Sequence, residues 1–307
     1  MFAGFDTSNY TTSAAILCES RISQYKKPLS VAENERGLRQ SDAVFQHTVN
    51  MPELVKKLAG DFDLRELKGV GVSARPRNVD GSYMPCFLVG INTARAAAAF
   101  AGVSLYETSH QVGHILAALY SAGRLDLIQK QFIAFHVSGG TTEAVLVSPD
   151  KENIIDARII ASSTDLKAGQ AIDRTGVLLG MRFPCGPQLE KEAEKSTAEF
   201  KIRPSMKGCD CSFSGIENKV KNMISSGEKA CDIAKFAISS VCASIEGMAH
   251  AVRKEYGELP ILFAGGVSGN RMINNRLGAE FSAIFASPEF SSDNAAGTAV
   301  FAGLKAL

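Results

Sequence analysis

The stretch Phe-Ile-Ala-Phe-His-Val-Ser-Gly-Gly-Thr-Thr at positions 132–142 decides how this chain is read. Its first six residues suit a buried strand, and Ser-Gly-Gly turns the chain instead of continuing it. Strand patterns follow at 143–147 and 154–161, and helical spacing then begins at Gln170, Ser214 and Ala230. The N-terminus has the same order. A short strand runs into Phe5-Asp6-Thr7-Ser8, strands follow at 13–18 and 22–27, and a polar stretch at 33–40 leads to a helix from Ser41 with Val44, Val49, Leu54 and Leu58 at helical spacing. A β-β-β-α order that occurs twice predicts two similar α/β halves facing a cleft.

The rest of the chain fits around these repeats. A strand at 69–72, an alanine-rich helix at 91–100, a strand at 104–107 and a helix at 111–121 complete the first. A buried strand at 260–264, a helix from Asn270, a strand near 283–286 and a helix from Asp293 to Lys305, with Asp293 as its N-cap, complete the second. We expect a first domain over 1–125, with the C-terminal helix 293–307 packed on it, and a second over 126–292.

The chain has 307 residues, which is enough for two cores. Hydrophobic residues make up 45% and charged residues 21%, an ordinary globular composition. With 33 basic and 32 acidic side chains, the formal charge of +1 supplies no general attraction for nucleic acid or membrane. Arg75, Arg77, Lys201, Arg203, Lys207, Lys219 and Lys221 are left as candidates for a local basic patch. No apolar run approaches a membrane span and the N-terminus lacks signal-peptide features, so a cytoplasmic protein is expected. Seven cysteines, mostly isolated, fit reduced thiols. The Cys209-Asp210-Cys211 pair has no second pair at zinc-site spacing and reads as an irregular loop.

Three strand ends run into small or hydroxylated residues: Asp6-Thr7-Ser8, His136-Val137-Ser138-Gly139-Gly140, and Gly265-Gly266-Val267-Ser268-Gly269-Asn270. Glycine turns of this kind let backbone N–H groups approach an anion, and a helix beginning at Asn270 adds its positive end, so the set suggests a nucleotide held between halves. Asp173 is a candidate acceptor for ribose hydroxyls. Gly186, in Pro184-Cys185-Gly186-Pro187, reads as a chain reversal that can lie against the same ligand.

His110 and His114, four residues apart at a helix start, place two imidazoles on one face, suitable for a common metal. Asp293 is a candidate third ligand, and helix capping is its competing role. The glutamate of a helical H-E-x-x-H protease is replaced here by Gln111, which cannot accept a proton. A metal at this place suits Lewis-acid work on a carbonyl or phosphate oxygen instead.

Taken in order, Asp6-Thr7-Ser8, His110-x-x-x-His114, Val137-Ser138-Gly139-Gly140, the segment from Gly169 to Arg174, Pro184-Cys185-Gly186-Pro187, Ser212-Phe213-Ser214-Gly215, Gly265-Gly266-Val267-x-x-Asn270 and Asp293-Asn294-Ala295-Ala296 resemble the tRNA threonylcarbamoyladenosine synthase family, the transferase subunit once labelled a sialoglycoprotease. The resemblance runs over nearly the whole chain. It implies an actin-like, sugar-kinase-like α/β fold of two ribonuclease-H-like domains with a nucleotide cleft. It also implies transfer of threonylcarbamoyl from threonylcarbamoyl-AMP to the exocyclic amine of the adenosine 3′ of the anticodon, in tRNAs reading codons that begin with A. Residue by residue, His110, His114 and Asp293 match the family's ligands for iron(II) or zinc. His136, Val137, Ser138, Gly139, Gly140, Asp173, Gly186 and Asn270 match its adenylate-binding positions, for threonylcarbamoyl-AMP or ATP. Asp6 and Ser8 are possible cleft residues. The implied partners are tRNA, a related dimerising subunit and an ATPase subunit, with no membrane.

The chain also departs from that family. Asn9-Tyr10-Thr11-Thr12 stands for Cys-Asp-Glu-Thr, Gln170 and Arg174 for the glutamate and lysine of Gly-Glu-Ala-Phe-Asp-Lys, and Thr141 for a histidine. Ser73-Ala74-Arg75-Pro76-Arg77-Asn78 replaces a Gly-Pro-Gly loop, and Val112 a glutamate between the histidines. Such losses suit a divergent paralogue. Two other readings therefore stand beside the transferase: a catalytically silent nucleotide- and metal-binding paralogue that regulates or scaffolds the authentic synthase, and an actin-fold small-molecule kinase or ATPase.

Overall fold

Alternation along the N-terminal strands decides how the first half packs. The computed structural model describes residues 1–8, 10–31 and 38–307, so Asn9 and most of the polar stretch expected at 33–40 lie outside the described residues. Strands β1 (Phe2–Asp6), β2 (Thr11–Cys18) and β3 (Arg21–Pro28) form an antiparallel meander. Helix α1 (Gln40–Asp61), β4 (Gly69–Arg75), α2 (Phe87–Ala101), β5 (Ser104–Ser109) and α3 (His110–Ser121) follow. The next elements are β6 (Phe132–Val137), β7 (Thr142–Asp150), β8 (Ile154–Ser162), α4 (Ala168–Leu178), α5 (Gly186–Ala193), β9 (Ser205–Lys207), β10 (Asp210–Ser212) and α6 (Ser214–Ser225). The chain ends with α7 (Ala230–Tyr256), β11 (Ile261–Ala264), α8 (Arg271–Phe281), β12 (Ile284–Phe285) and α9 (Ala296–Lys305).

Two five-stranded sheets have the same plan, β3-β2-β1-β4-β5 and β8-β7-β6-β11-β12. In each, an antiparallel hairpin partner lies on one side of the first strand and parallel strands on the other. The chain divides into two compact units, Met1–Lys130 with Ser148–Ala157 and Glu289–Leu307, and Gln131–Val147 with Arg158–Pro288.

In the first unit, Ala3, Phe5, Ala14, Ile16, Val70 and Val72 join the core beneath α1 and α2. The intervening residues Gly4, Ala15 and Gly71 face the other way and are small, so the backbone of α9 lies directly on the sheet. A Cβ on Gly71 would stand 2.0 Å from the carbonyl oxygen of Thr298, and one on Gly297 1.7 Å from that of Gly113 in α3. In the second unit, Phe135, Phe263 and Phe285 stack across neighbouring strands with centroids 4.8 and 5.5 Å apart, and α7 buries Ile233, Val241, Ile245, Met248 and Val252 in the same core.

Several expectations are corrected. Val49 is 58% exposed, because the stripe that α1 buries runs through Ala43, His47, Asn50, Met51, Leu54 and Leu58. His47 and Asn50 are tolerated inside because both reach the hydroxyl of Thr12, at 2.8 and 3.3 Å. Gly186 opens the short helix α5 and is not a simple reversal, with Pro187 in its first turn, where the missing N–H costs nothing. Cys209 and Cys211 lie in the β9–β10 hairpin and not in an irregular loop. The last helix begins at Ala296, after Asp293, and takes no side-chain cap from it.

Gly297→Ala is expected to lose about 1–3 kcal/mol or more, because its methyl meets a backbone carbonyl that cannot step aside. Gly60→Ala, with open space around it in α1, is expected to gain about 0.5–1 kcal/mol. Urea midpoints of the two variants measured side by side check both signs.

Candidate functional site

Asp6 ends β1 with its carboxylate only 1% exposed, and every direction around it is used. Oδ1 accepts from the amide and hydroxyl of Ser8 at 2.9 and 2.5 Å, and Oδ2 accepts from the hydroxyl of Ser73 at 2.5 Å. Oδ2 also lies 2.9 Å from Nδ1 of His110, the first residue of α3. Ser109 caps that helix and starts it abruptly after β5, so His110 and His114 share its inner face.

The two Nε2 atoms stand 2.9 Å apart, and Oδ1 of Asp293 lies 3.5 Å from that of His110 and 3.3 Å from that of His114. Asp293 therefore meets the histidines. The N–H of Ala296 is taken by Asn294 at 3.0 Å, so the capping role expected for Asp293 falls to its neighbour.

Burial would raise the Asp6 carboxyl, but the charge and hydrogen bond of His110 and the hydroxyls of Ser73 and Ser8 outweigh it and hold it below the usual range. Burial would likewise lower His110, and Asp6 and Asp293 instead push it up to about 10. Asp293 is held well below ordinary carboxylates, its burial outweighed by both imidazoles. The arrangement demands positive charge. Three donors each about 2.1 Å from a divalent ion stand roughly 3.0–3.4 Å apart at octahedral or tetrahedral angles, close to the spacings here. Asp6 behind His110 stands where a carboxylate fixes the tautomer of an imidazole able to ligate a metal. The residues present fit a first-row divalent metal with open positions.

In the second unit, His136 and Val137 end β6, and Ser138-Gly139-Gly140-Thr141 makes the turn into β7. The Ser138 hydroxyl accepts from the amides of Gly140 and Thr141, at 3.3 and 3.0 Å, so those two N–H groups already have an acceptor. Helix α4 packs its first turn on this one, where a Cβ on Gly169 would stand 2.7 Å from the Gly139 nitrogen. Asp173 accepts from the Cys185 amide at 2.8 Å and so places Gly186. Asn270 is the N-cap of α8, accepting from Ile273 at 3.2 Å, and the next amide, Arg271, donates to Glu190 of α5 at 2.6 Å. A hollow of about 490 Å³ opens beside α4, with Gln170, Asp173, Arg174 and Glu217 as its polar lining and Val177, Leu178 and Phe183 as its apolar lining.

Among the described residues one other trio brings ligand atoms together, Glu246, His250 and Glu280, but Arg276 already occupies Glu246 at 2.7 Å. The candidate basic residues divide, Arg75 and Arg77 in the first unit and the other five in the second, where Lys221 is neutralised by Glu217 at 2.6 Å. Among the described residues no helix is long and apolar enough to cross a membrane.

The family model for TsaD, tRNA N6-adenosine threonylcarbamoyltransferase, matches residues 23–300. The chain belongs to the TsaD family. It is 31% identical over 275 residues to a tRNA N6-adenosine threonylcarbamoyltransferase of Aromatoleum aromaticum, an alignment covering 85% of this chain and 77% of that one. Among solved structures it is similar to component A of (R)-2-hydroxyglutaryl-CoA dehydratase from Acidaminococcus fermentans, at TM-score 0.60 and 14% identity over 99% of this chain and 98% of that one. A ROK family glucokinase from Streptomyces griseus matches at TM-score 0.52 and 11% identity over 99% of both chains. These likenesses show the fold, the actin-like, sugar-kinase-like α/β fold of the TsaD family.

The departures from the TsaD pattern now have surroundings. Gln170 accepts from the Lys167 amide at 3.1 Å, a capping-box contact that glutamine makes as well as glutamate. Arg174 pairs with Glu217 at 2.8 Å. Tyr10 is 46% exposed, so no buried charge is lost with the acid of the TsaD pattern at that position.

Sequence reasoning missed Asp6's partner Ser73 and also Asp165. The exposed carboxylate of Asp165 organises Ser212-Phe213-Ser214 at the start of α6, accepting from the Ser212 hydroxyl at 2.5 Å and the amides of Phe213 and Ser214 at 2.8 and 3.0 Å. Partial burial would raise it, and these hydroxyls and amides outweigh that and depress it well below the usual range. A depressed carboxylate stabilises above its unfolded pKa, about 3.9, and the contribution fades as pH falls through the folded value. Asp165→Asn should cost about 0.5–1.5 kcal/mol at pH 7 and progressively less below pH about 4. Urea titrations at pH 7 and pH 3 check the convergence.

Proposed function

We propose that the chain transfers threonylcarbamoyl from threonylcarbamoyl-AMP to the exocyclic amine of the adenosine 3′ of the anticodon, in tRNAs reading codons that begin with A. The observation that carries this reading is the convergence of His110, His114 and Asp293 on one point, with Asp6 behind His110, in a chain of the TsaD family. The acidic departures leave this set untouched.

His110, His114 and Asp293 hold the metal, iron(II) or zinc, and Asp6, itself fixed by Ser8 and Ser73, keeps the His110 tautomer that turns Nε2 inward. The bound ion supplies Lewis-acid stabilisation of charge on a carbonyl or phosphate oxygen. The turn at 136–140, with Asp173, Gly186 and Asn270, binds the adenylate. Phe183 and its apolar neighbours in the hollow are suited to a flat base. In the solved glucokinase neighbour the same fold is described in complex with AMPPNP, and full-length HypF, similar at TM-score 0.59 and 13% identity, is described in a nucleotide-bound form. The amine nitrogen bonds to the carbamoyl carbon, the carbon–oxygen bond to the phosphate breaks, AMP leaves and the amine gives up a proton. No side-chain nucleophile is needed, and holding the reactants together supplies much of the rate.

Because the formal charge is only +1, tRNA binding draws on partners, a related dimerising subunit and an ATPase subunit of the same modification system, in the cytoplasm. A second reading is favoured by Tyr10 and Thr11 standing where the family carries acids: a silent paralogue that binds adenylate and metal and regulates an authentic synthase.

Metal-loaded protein, threonylcarbamoyl-AMP and unmodified tRNA, with and without those partners, are expected to yield threonylcarbamoyladenosine by mass spectrometry. His110→Ala should lower the yield about 100-fold or more. No product from the wild type, but product from Tyr10→Asp with Thr11→Glu, decides for the silent paralogue. Phosphotransfer that survives His110→Ala decides for a kinase. Separately, the chain has no tryptophan, so Phe183→Trp places a single reporter on the hollow. Its fluorescence is expected to be quenched by AMP and unchanged by ribose 5-phosphate, and quenching by neither removes Phe183 from the base site.

A further inference from the structure

One row across the first sheet carries more of the proposed centre than its ligands. Asp6 lies in register with Ser13, and Ser13 with Lys26 on the edge strand β3. Side chains directly opposite on neighbouring strands point to the same face, so Asp6 and Lys26 stand on one side of the sheet, two strands or roughly 10 Å apart. Asp6 reaches His110. Lys26 reaches the other arm, donating from Nζ to the carbonyl of Glu289 at 2.8 Å and to the hydroxyl of Ser292 at 3.3 Å. Those acceptors lie within four residues of Asp293, in the segment that leads into α9.

Phe290 of that segment packs with Ala117 and Tyr120 of α3 and Ile22 of β3, and the turn after it is braced from within. Asn294 donates to the carbonyls of Phe290 and Ser292, at 3.1 and 2.6 Å, and accepts from Ala296. These bonds give the turn its shape but do not tie it to the sheet. The two bonds from Lys26 tie it to β3 at Glu289 and at Ser292, the residue next to Asp293.

We infer that Lys26 is a positioning residue for the metal centre, holding the segment 289–292 against β3 so that Asp293 faces His110 and His114. The inference rests on the reading of these three residues as metal ligands. An ammonium suits the task because it donates in several directions at once and its stem packs along the strand. Removal of residues that orient a ligand lowers metal affinity about 10–100-fold where the ligand itself is kept.

The test uses Co²⁺ alone, titrated into the full chain against a chelator and followed by its visible absorption. Lys26→Met is expected to weaken Co²⁺ about tenfold or more and to alter the absorption bands, while the melting temperature of the metal-free protein stays within a few degrees. Lys26→Arg should return affinity to within about threefold, since it restores charge and donors. Wild-type affinity and bands in Lys26→Met, together with lost binding in His114→Ala, overturn the positioning role and leave the metal centre standing. Unchanged binding in His114→Ala overturns the metal reading, and the inference falls with it. Should Lys26→Met fail to fold, Ser292→Ala removes one tether without altering β3. It is expected to weaken Co²⁺ about threefold, and wild-type binding there overturns the inference.

Discussion

The centre in the first unit depends on how closely α9 can lie on the sheet and on α3. Helices packed through side chains keep axes 8–10 Å apart, and an α9 held off in that way would carry its N-terminal segment away from the histidines. Gly4, Ala15 and Gly71 leave the sheet face nearly bare, and Gly297 against Gly113 does the same between helices. Each of these residues gives up side-chain burial for approach. Asp293, 179 positions from His114 in sequence, comes within 3.3 Å of it because backbone packing brings α9 close.

Much of the fold could be read from periodicity, because both sheets are built from strands with clear apolar runs and the β-β-β-α order repeats. What could not be read follows one physical rule. Hydrophobic spacing places apolar residues and says nothing of a polar residue that is buried because it has a partner. His47 and Asn50 displaced Val49 from the inner stripe through Thr12, more than thirty residues away. Helix α5 was hidden because Pro184-Cys185-Gly186-Pro187 carries turn chemistry, and proline in a first helical turn looks the same in sequence as proline in a reversal. The candidate ligands were legible as a pair four apart plus an aspartate. Their supports, Ser73 and Lys26, were not, because only the strand register brings them near.

The substitutions that separate this chain from the TsaD pattern differ in kind. Gln170 keeps the hydrogen bond that closes the first turn of α4, so losing the carboxylate costs charge but not shape. Arg174 stays cationic and is held by Glu217, which Lys221 also contacts, so the hollow's polar side keeps balanced charge. Tyr10 and Thr11 are another matter, since neither carries a carboxylate. The changes thus remove negative charge near the end of β1 while keeping the framework of the second unit, a pattern that bears on substrate handling more than on stability.

The hydrogen-bond arithmetic of the centre explains why it suits an ion. Asp6 at Nδ1 of His110 leaves Nε2 as the inward atom, facing Nε2 of His114 at 2.9 Å. Two imidazole lone pairs do not face each other at that distance without a proton or a metal ion between them. A proton meets the need, and Asp6 and Asp293 favour it on His110, raising that imidazole to about 10 against the effect of burial. His110, His114 and Asp293 would hold a divalent ion in its place, since such an ion would supply the charge that both imidazoles and the carboxylate accept. Asp6 is then the element that separates the two states. It is buried, it already accepts three bonds from Ser8 and Ser73, and its contact with Nδ1 fixes the orientation of the His110 ring.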